Sequence, residues 1–180
     1  MKRWNSITGA LLLSVSVIAL SACEEPKVDA AVFDSLKQCI DDPGMTRERC
    51  EKTYSDARGQ HAAVAPKYSS QADCQADFGA GKCEQAPYRT SGGSSIFMPL
   101  MMGYMMGSFI GGRSSMTSQP LYRSSKSPNT LRTADNRNVG SATGRTQVAR
   151  SATRRPSFKS STIRRGGFGT SGRRFGSAST

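Results

Sequence analysis

The chain has a single histidine, His61, and it lacks any Cys-x-x-Cys pair. The missing pair argues against a thiol oxidoreductase. No nucleophile, glycine-rich phosphate loop or set of metal ligands accompanies the histidine, so catalysis has little support. His61 could form an acid–base pair with Asp56 or Asp73, but packing or surface exposure is the favoured interpretation. We therefore expect a protein that is not an enzyme and that holds no cofactor or metal.

Acidic residues are nearly absent from the second half of the chain. After residue 89, Asp135 is the sole acid among 14 basic residues, whereas residues 24–89 contain 12 acidic and 9 basic residues. The net charge of +12 is thus a property of the C-terminal half. We expect the folded unit to lie before Arg89.

The N-terminal apolar run is too short to span a bilayer. It covers residues 7–20, which is 14 residues against the roughly 20 that a spanning helix needs. Two basic residues precede it, and Leu20-Ser21-Ala22-Cys23 closes it, which predicts a lipoprotein signal peptide over residues 1–22 and lipid on Cys23. An uncleaved anchor helix is the alternative. Bacterial lipoproteins that are retained in the inner membrane usually carry aspartate directly after the lipidated cysteine. Because Glu24 stands there, we expect the outer membrane, with the protein facing the periplasm, and the inner membrane is the less favoured location.

The four remaining cysteines form an even set in an exported chain, which indicates two disulfides. Three pairings are open, and proximity favours Cys39–Cys50 and Cys74–Cys83. A zinc site is the rival interpretation, but neither pair has the short spacing of a zinc knuckle.

Helical spacing of apolar residues predicts a small, mainly α fold for residues 23–90. One helix is expected over residues 28–40, and a second from an N-cap at Thr46 to Pro66. A shorter helical turn is expected after Ser70, so that one disulfide-loop unit is used twice. We expect disulfide-stapled helical hairpins, because so short a segment buries little apolar surface alone.

Residues 91–112 comprise a Gly/Ser linker and a Met/Gly-rich apolar segment. We expect the apolar segment, residues 96–112, to form one helix. Insertion into a membrane or docking on a partner is the favoured role. Full spanning, packing on the chain's own helices, and copper(I) binding by the thioethers are the alternatives. The predicted interaction residues are Met98, Met101, Met102, Gly103, Met105, Met106, Gly107 and Gly111.

Residues 113–180 are rich in serine, threonine and arginine and show no hydrophobic periodicity. This composition predicts a long disordered basic tail. Contact with anionic lipids or cell-wall polymers is one interpretation, and a merely solvated linker is the other. Export argues against nucleic acid as a partner. The predicted anion contacts are Arg154, Arg155, Arg164, Arg165, Arg173 and Arg174.

Several of these motifs occur together in a known family. They are the Leu-Ser-Ala-Cys box, the two cysteine pairs with Ala65-Pro66-Lys67-Tyr68 between them, Phe97-Met98-Pro99-Leu100-Met101, Gly103-Tyr104-Met105-Met106-Gly107 and Arg165-Gly166-Gly167-Phe168-Gly169. In this combination the chain resembles the YgiB family of bacterial lipoproteins, over most of its mature length. The family has no assigned activity, so the resemblance implies no catalytic residues.

We therefore expect a cell-envelope lipoprotein of unknown molecular activity that serves as a structural or accessory interaction protein. Self-assembly or docking on an envelope protein would use the apolar segment, and the tail would contact anionic polymer. The resemblance also implies an alternative, because genes of that family often lie beside one resembling glutathionylspermidine synthase. In that case the protein would be an accessory to a ligase system and would bind a polyamine-type ligand.

Overall fold

The structure, a computed structural model, describes residues 25–107 and 118–157. Within these ranges the helices and strands follow one another as β1 (Lys27–Phe33), α1 (Leu36–Ile40), α2 (Arg47–Val64), α3 (Gln71–Phe78), β2 (Cys83–Arg89), β3 (Ser95–Pro99), β4 (Gly103–Met106), β5 (Ser118–Ser124), β6 (Ser127–Thr133), β7 (Asn138–Gly140), β8 (Gly144–Ala149) and a 3-10 helix (Arg150–Thr153). Among the helices so described, none has both the length and the apolar content required to cross a bilayer.

Six of the strands form one antiparallel sheet in the order β7-β6-β5-β4-β1-β8. The edge strands β7 and β8 also approach each other, so the sheet is nearly closed. The N-terminal strand β1 is an inner strand, with Val32 opposite Met105 of β4 on one side and Lys27 opposite Ala149 of β8 on the other. β2 and β3 form a separate two-stranded sheet.

Both faces of the large sheet are apolar near its centre. Because successive side chains on a strand point to opposite faces, neighbouring residues of one strand join different clusters. The inner cluster contains Val32, Met105, Leu121, Leu131 and Val148. The outer cluster contains Ala31, Phe33, Tyr104 and Met106, which pack with residues of α1 and α2. The sheet thus encloses one core and lays its other face on the helices.

The expected mainly α fold is wrong, since strands dominate the described residues. In the stretch from residue 28 to 40, the first part belongs to β1 and only the last part, α1, is helical. Val28, Ala30 and Val32 alternate with Ala31 and Phe33, and this period of two fits a strand buried on both faces. Two local expectations hold, because Thr46 and Ser70 accept the N-cap hydrogen bonds of α2 and α3.

The expected Met/Gly helix is also wrong, because its described part forms β3 and β4. All four residues of β4 are buried, so the strand is apolar on both faces, as a buried helix would be. Gly103 has a different role from the helix contact that its spacing suggests. A Cβ there would lie 2.8 Å from the backbone oxygen of Phe33, so the close approach of β4 to the end of β1 requires glycine.

The expected disorder after residue 113 is wrong for residues 118–157, which form β5 to β8 and the 3-10 helix. Their apolar residues are sparse, but Leu121, Leu131, Val139 and Val148 all enter the inner cluster. Each strand needs only one or two such side chains, because its neighbours supply the rest of the core. The composition of this stretch therefore resembles that of a disordered segment although it folds.

The structure joins Cys39 to Cys50 and Cys74 to Cys83, the pairs that proximity favours. The first disulfide ties α1 to α2, and the second ties α3 to β2. Since all four thiols are consumed in these bonds, the rival zinc interpretation is excluded for them. Cys39, Cys50 and Cys74 are fully buried.

Removing one disulfide should destabilise the fold. Closing the Cys39–Cys50 loop, with its sequence separation of 11, contributes about 3 kcal/mol in the chain-entropy model. We expect the double substitution Cys39→Ser/Cys50→Ser to lower the free energy of unfolding by about that amount, measured by urea denaturation of the full mature chain. An unchanged midpoint and slope would contradict this role for the disulfide.

Candidate functional site

Basic side chains collect at the end of the sheet where β1 begins. Lys27 starts β1 opposite Ala149, the last residue of β8, so the 3-10 helix that follows lies beside the N-terminal segment. We define the basic end by the five cations placed there, which are Lys27, Arg137, Arg150, Arg154 and Arg155. All five residues are exposed.

Glu25 fixes the N-terminal segment to the 3-10 helix. Its carboxylate accepts hydrogen bonds from the backbone N–H of Ser151 at 2.5 Å and from the Ser151 hydroxyl at 2.8 Å. The backbone N–H of Arg150 also donates to the carbonyl of Pro26 at 3.0 Å. The two bonds from Ser151 hold the pKa of the Glu25 carboxyl below its ordinary value, and the cations of Arg137 and Arg154 act in the same direction. Glu25, which is two residues after Cys23 in the sequence, is therefore fixed to the fold.

Ser157, the last residue that the structure describes, lies at the same end of the fold. The backbone N–H and the hydroxyl of Ser157 donate to the two carboxylate oxygens of Asp135, at 3.1 and 2.9 Å. Asp135 lies in the turn between β6 and β7, as does Arg137. The segment that carries Arg154 and Arg155 is thus held against the sheet end. Glu25 and Ser157, the first and last residues that the structure describes, therefore both lie beside the basic end.

The cations of the basic end outnumber the carboxylates that are seen bonded to it in the part of the chain that the structure describes. These carboxylates belong to Glu25 and Asp135, and both accept hydrogen bonds from serines. Exposed guanidinium groups offer planar pairs of N–H donors that fit phosphate and carboxylate oxygens. This surface therefore presents the kind of N–H donors that fit phosphate and carboxylate oxygens.

The predicted interaction residues are mostly buried. Met98, Met105 and Met106 are at most 4% exposed, Gly103 is buried in β4, and Met101, Met102 and Gly107 are half-buried. Their side chains pack in three different core clusters. The structure does not assemble them into one surface.

Among the predicted anion contacts, the structure brings Arg154 and Arg155 together with three cations that the sequence did not single out. Lys27, Arg137 and Arg150 join them through strand pairing and turns across more than 100 residues, which no local motif encodes. Four predicted anion contacts, the lipidation site and one interaction glycine lie outside the described residues, namely Arg164, Arg165, Arg173, Arg174, Cys23 and Gly111.

His61 is buried and forms hydrogen bonds that tie α2 to two strands. Its Nε2 is 3.1 Å from a carboxylate oxygen of Glu84 on β2, and its Nδ1 is 2.9 Å from the hydroxyl of Tyr122 on β5. Because an ionised carboxylate only accepts, neutral His61 donates from Nε2 and accepts from Tyr122 at Nδ1. The suggested acid partners are not those used, and Asp56 instead lies 3.2 Å from the ammonium of Lys52.

The hydrogen bonds of His61 suit a structural role better than a role in acid–base catalysis. Tyr122 is fully buried, and burial raises the pKa of its hydroxyl well above the ordinary value. Both imidazole nitrogens are engaged, so His61 can take a substrate proton only after one of its bonds breaks. Burial lowers the pKa of His61, and the Glu84 carboxylate offsets this in part. The folded protein therefore favours the neutral imidazole.

This lowered pKa predicts a dependence of stability on pH. The unfolded chain takes up the histidine proton at about pH 6.5, before the folded protein does. The free energy of unfolding should therefore fall as pH is lowered from about 6.5, until the folded-state pKa is passed. Urea denaturation between pH 5 and 7.5 would measure it. In His61→Gln, which keeps a side chain able to donate and accept, this part of the slope should vanish; parallel curves for the two proteins would refute the assignment.

Comparison with known proteins gives a family without an assigned activity. Residues 27–178 match the model of the family described as "Protein of unknown function (DUF1190)". A protein from Erwinia tasmaniensis with the name "UPF0441 protein" is 38% identical over 189 residues, which cover 94% of this chain and 84% of that protein. No solved structure matches the chain. Both matches confirm the uncharacterised family that the sequence motifs indicate.

Proposed function

The chain belongs to the DUF1190 family of proteins of unknown function, and from this premise we propose that it is a lipid-anchored protein of the bacterial cell envelope. In this proposal lipid on Cys23 attaches the protein to the periplasmic side of the outer membrane. The basic end lies on the anionic membrane surface, and the protein acts as a structural or accessory component without catalysis.

One observation carries the proposal, namely the attachment of Glu25 to the 3-10 helix. Two residues span roughly 7 Å at full extension, so lipid on Cys23 would hold Glu25 within about that distance of the anchor. The Debye length at physiological ionic strength is about 8 Å, so cations that lie within that distance of the headgroups would attract lipid phosphates in spite of partial screening by salt. Durable attachment takes two signals, and a lipid with a basic surface supplies both.

The sequence beyond residue 157 is also basic. It follows Ser157, which lies beside the basic end, and it contains Lys159 and four arginines but no acid. In this proposal these cations add to the attraction between the protein and an anionic surface. Anionic polymers of the envelope offer the same oxygen chemistry as lipid headgroups, and they are the further partners in this proposal.

We do not extend the proposal to self-assembly or partner docking through the Met/Gly segment. Met98, Met105 and Met106 are core residues, so a partner could reach them only after the sheet opened. Polyamine binding, the alternative from the family resemblance, also lacks support from the helical surface. Four carboxylates there already face cations, in the pairs Lys37–Asp41, Arg47–Glu51, Lys52–Asp56 and Arg145–Asp42.

The anchor can be tested in growing cells. We expect radiolabelled palmitate to be incorporated into the natural chain, and we expect the protein to sediment with outer-membrane fractions. Cys23→Ser should lose the label, and Glu24→Asp should keep it but shift the protein toward inner-membrane fractions. Label that persists in Cys23→Ser would overturn the lipid assignment.

The basic end can be tested without the lipid. We expect the mature chain with Cys23→Ser to bind vesicles containing phosphatidylglycerol but not vesicles of phosphatidylcholine alone, with affinity that falls as salt rises. Arg154→Gln/Arg155→Gln should weaken this binding several-fold, because two exposed cations are lost from the contact.

Lys37→Gln/Arg47→Gln is the matched control, since it removes the same charge from α1 and α2. Vesicle co-sedimentation of all three proteins gives the comparison. Equal losses in the two double variants would show that net charge alone, and not the basic end, governs binding.

A further inference from the structure

A cavity of about 370 Å³ opens at the other end of the sheet, where α3 and β5 end and β4 begins. β1 starts at the basic end with Lys27 and finishes at Phe33, next to Gly103 of β4. The cavity and the basic end are therefore separated by the length of β1. A cavity of this size lies in the range that accommodates small molecules in proteins.

The walls of the cavity are mainly apolar. Phe78, Met102 and Pro128 line it, and the ring of Phe78 is held in place by an edge contact with Tyr122 at 6.3 Å between centroids. Ser125 fixes the rim, since its backbone N–H donates to the carbonyl of Asp77 at 2.8 Å and its hydroxyl donates to the carbonyl of Ala76 at 3.0 Å. The shape is thus set by the fold before any ligand arrives.

Two cations border this apolar space. The guanidinium of Arg123 donates to a carboxylate oxygen of Asp34 at 3.1 Å and to the carbonyl of Pro128 at 3.3 Å. These bonds orient it and leave others of its five N–H donors for a ligand. Lys82 is exposed and has no ion-pair partner among the residues that the structure describes. With Asp34 balancing Arg123, the cavity carries one uncompensated positive charge.

We propose that this cavity binds a small amphipathic monoanion, that is, one carboxylate or comparable acidic head joined to an apolar chain or ring. The apolar body occupies the space between Phe78, Met102 and Pro128. The head lies between the ammonium of Lys82 and the guanidinium of Arg123. A cationic ligand would be repelled by the ammonium of Lys82. A neutral alcohol would make the apolar contacts but would lack the electrostatic attraction to Lys82. The proposal is independent of the lipid anchor.

The test uses three ten-carbon probes below their micellar concentrations, namely decanoate, decanol and decyltrimethylammonium. Titration calorimetry with the full mature chain carrying Cys23→Ser should show saturable one-to-one binding of decanoate. We expect decanol to bind roughly tenfold more weakly, and we expect no binding of the cation. Absence of decanoate binding, or equal affinity for decanoate and decanol, would overturn the proposal.

Variants separate the head contact from the cavity itself. Lys82→Gln should weaken decanoate roughly tenfold and leave decanol unchanged. Lys52→Gln is the matched control, because it removes the same charge at a site away from the cavity. Lys52 is next to Thr53, whose carbonyl accepts a hydrogen bond from Ser118, and Ser118 is at the end of β5 opposite the cavity. Ala80→Trp, at an exposed lining position, should block both probes while the melting temperature stays the same. Decanoate binding that survives Ala80→Trp would place the ligand elsewhere.

Discussion

The fold depends on the insertion of β1 between β4 and β8. Val32 lies opposite Met105 on one side, and six residues of β1 pair with β8 on the other. Without β1, β4 and β8 would have no strand between them, and β8 would lose its hydrogen-bonded neighbour in the sheet. The pairing also brings Glu25 to Ser151, although 126 positions separate them in sequence. One strand pairing therefore determines both the closure of the core and the position of the N-terminal segment.

The helices depend on this sheet, because α2 and α3 have only weakly developed apolar faces of their own. On the outer face of the sheet, the ring of Tyr104 makes an edge contact with Tyr54 of α2 at 5.5 Å between centroids. The hydroxyl of Ser118 on β5 donates to the carbonyl of Thr53 in the middle of α2 at 2.6 Å. The two disulfides then fix α1 and α3, which are too short to be stable alone. His61 adds a polar contact between α2, β2 and β5.

Local features could be predicted from the sequence, and the sheet could not. Disulfides between neighbouring cysteines and N-cap hydrogen bonds join residues that are close in sequence, so Cys39–Cys50, with a separation of 11, and the cap at Thr46 could be predicted from spacing. Strand pairing joins distant residues, and its signals were ambiguous here. A strand buried on both faces, such as β4, has the composition of a buried helix. The single apolar residues of β6 and β8 were hidden among serines and arginines. Arg154 and Arg155 could be predicted as anion contacts from the local sequence. The cations beside them in the basic end could not, because strand pairing brings those together from distant positions.

The length of β1 also separates the two surfaces for which we propose functions. Seven residues of extended strand span roughly 23 Å, with Lys27 at the basic end and Asp34, the partner of Arg123, just past the other. This distance exceeds the Debye length of about 8 Å, so the charge of a membrane at one end would have little effect on an anion at the other. With the basic end on the membrane, the cavity would open toward the periplasm. Its selectivity for a monoanion would then depend on Lys82, Arg123 and Asp34 alone, and not on the lipid composition.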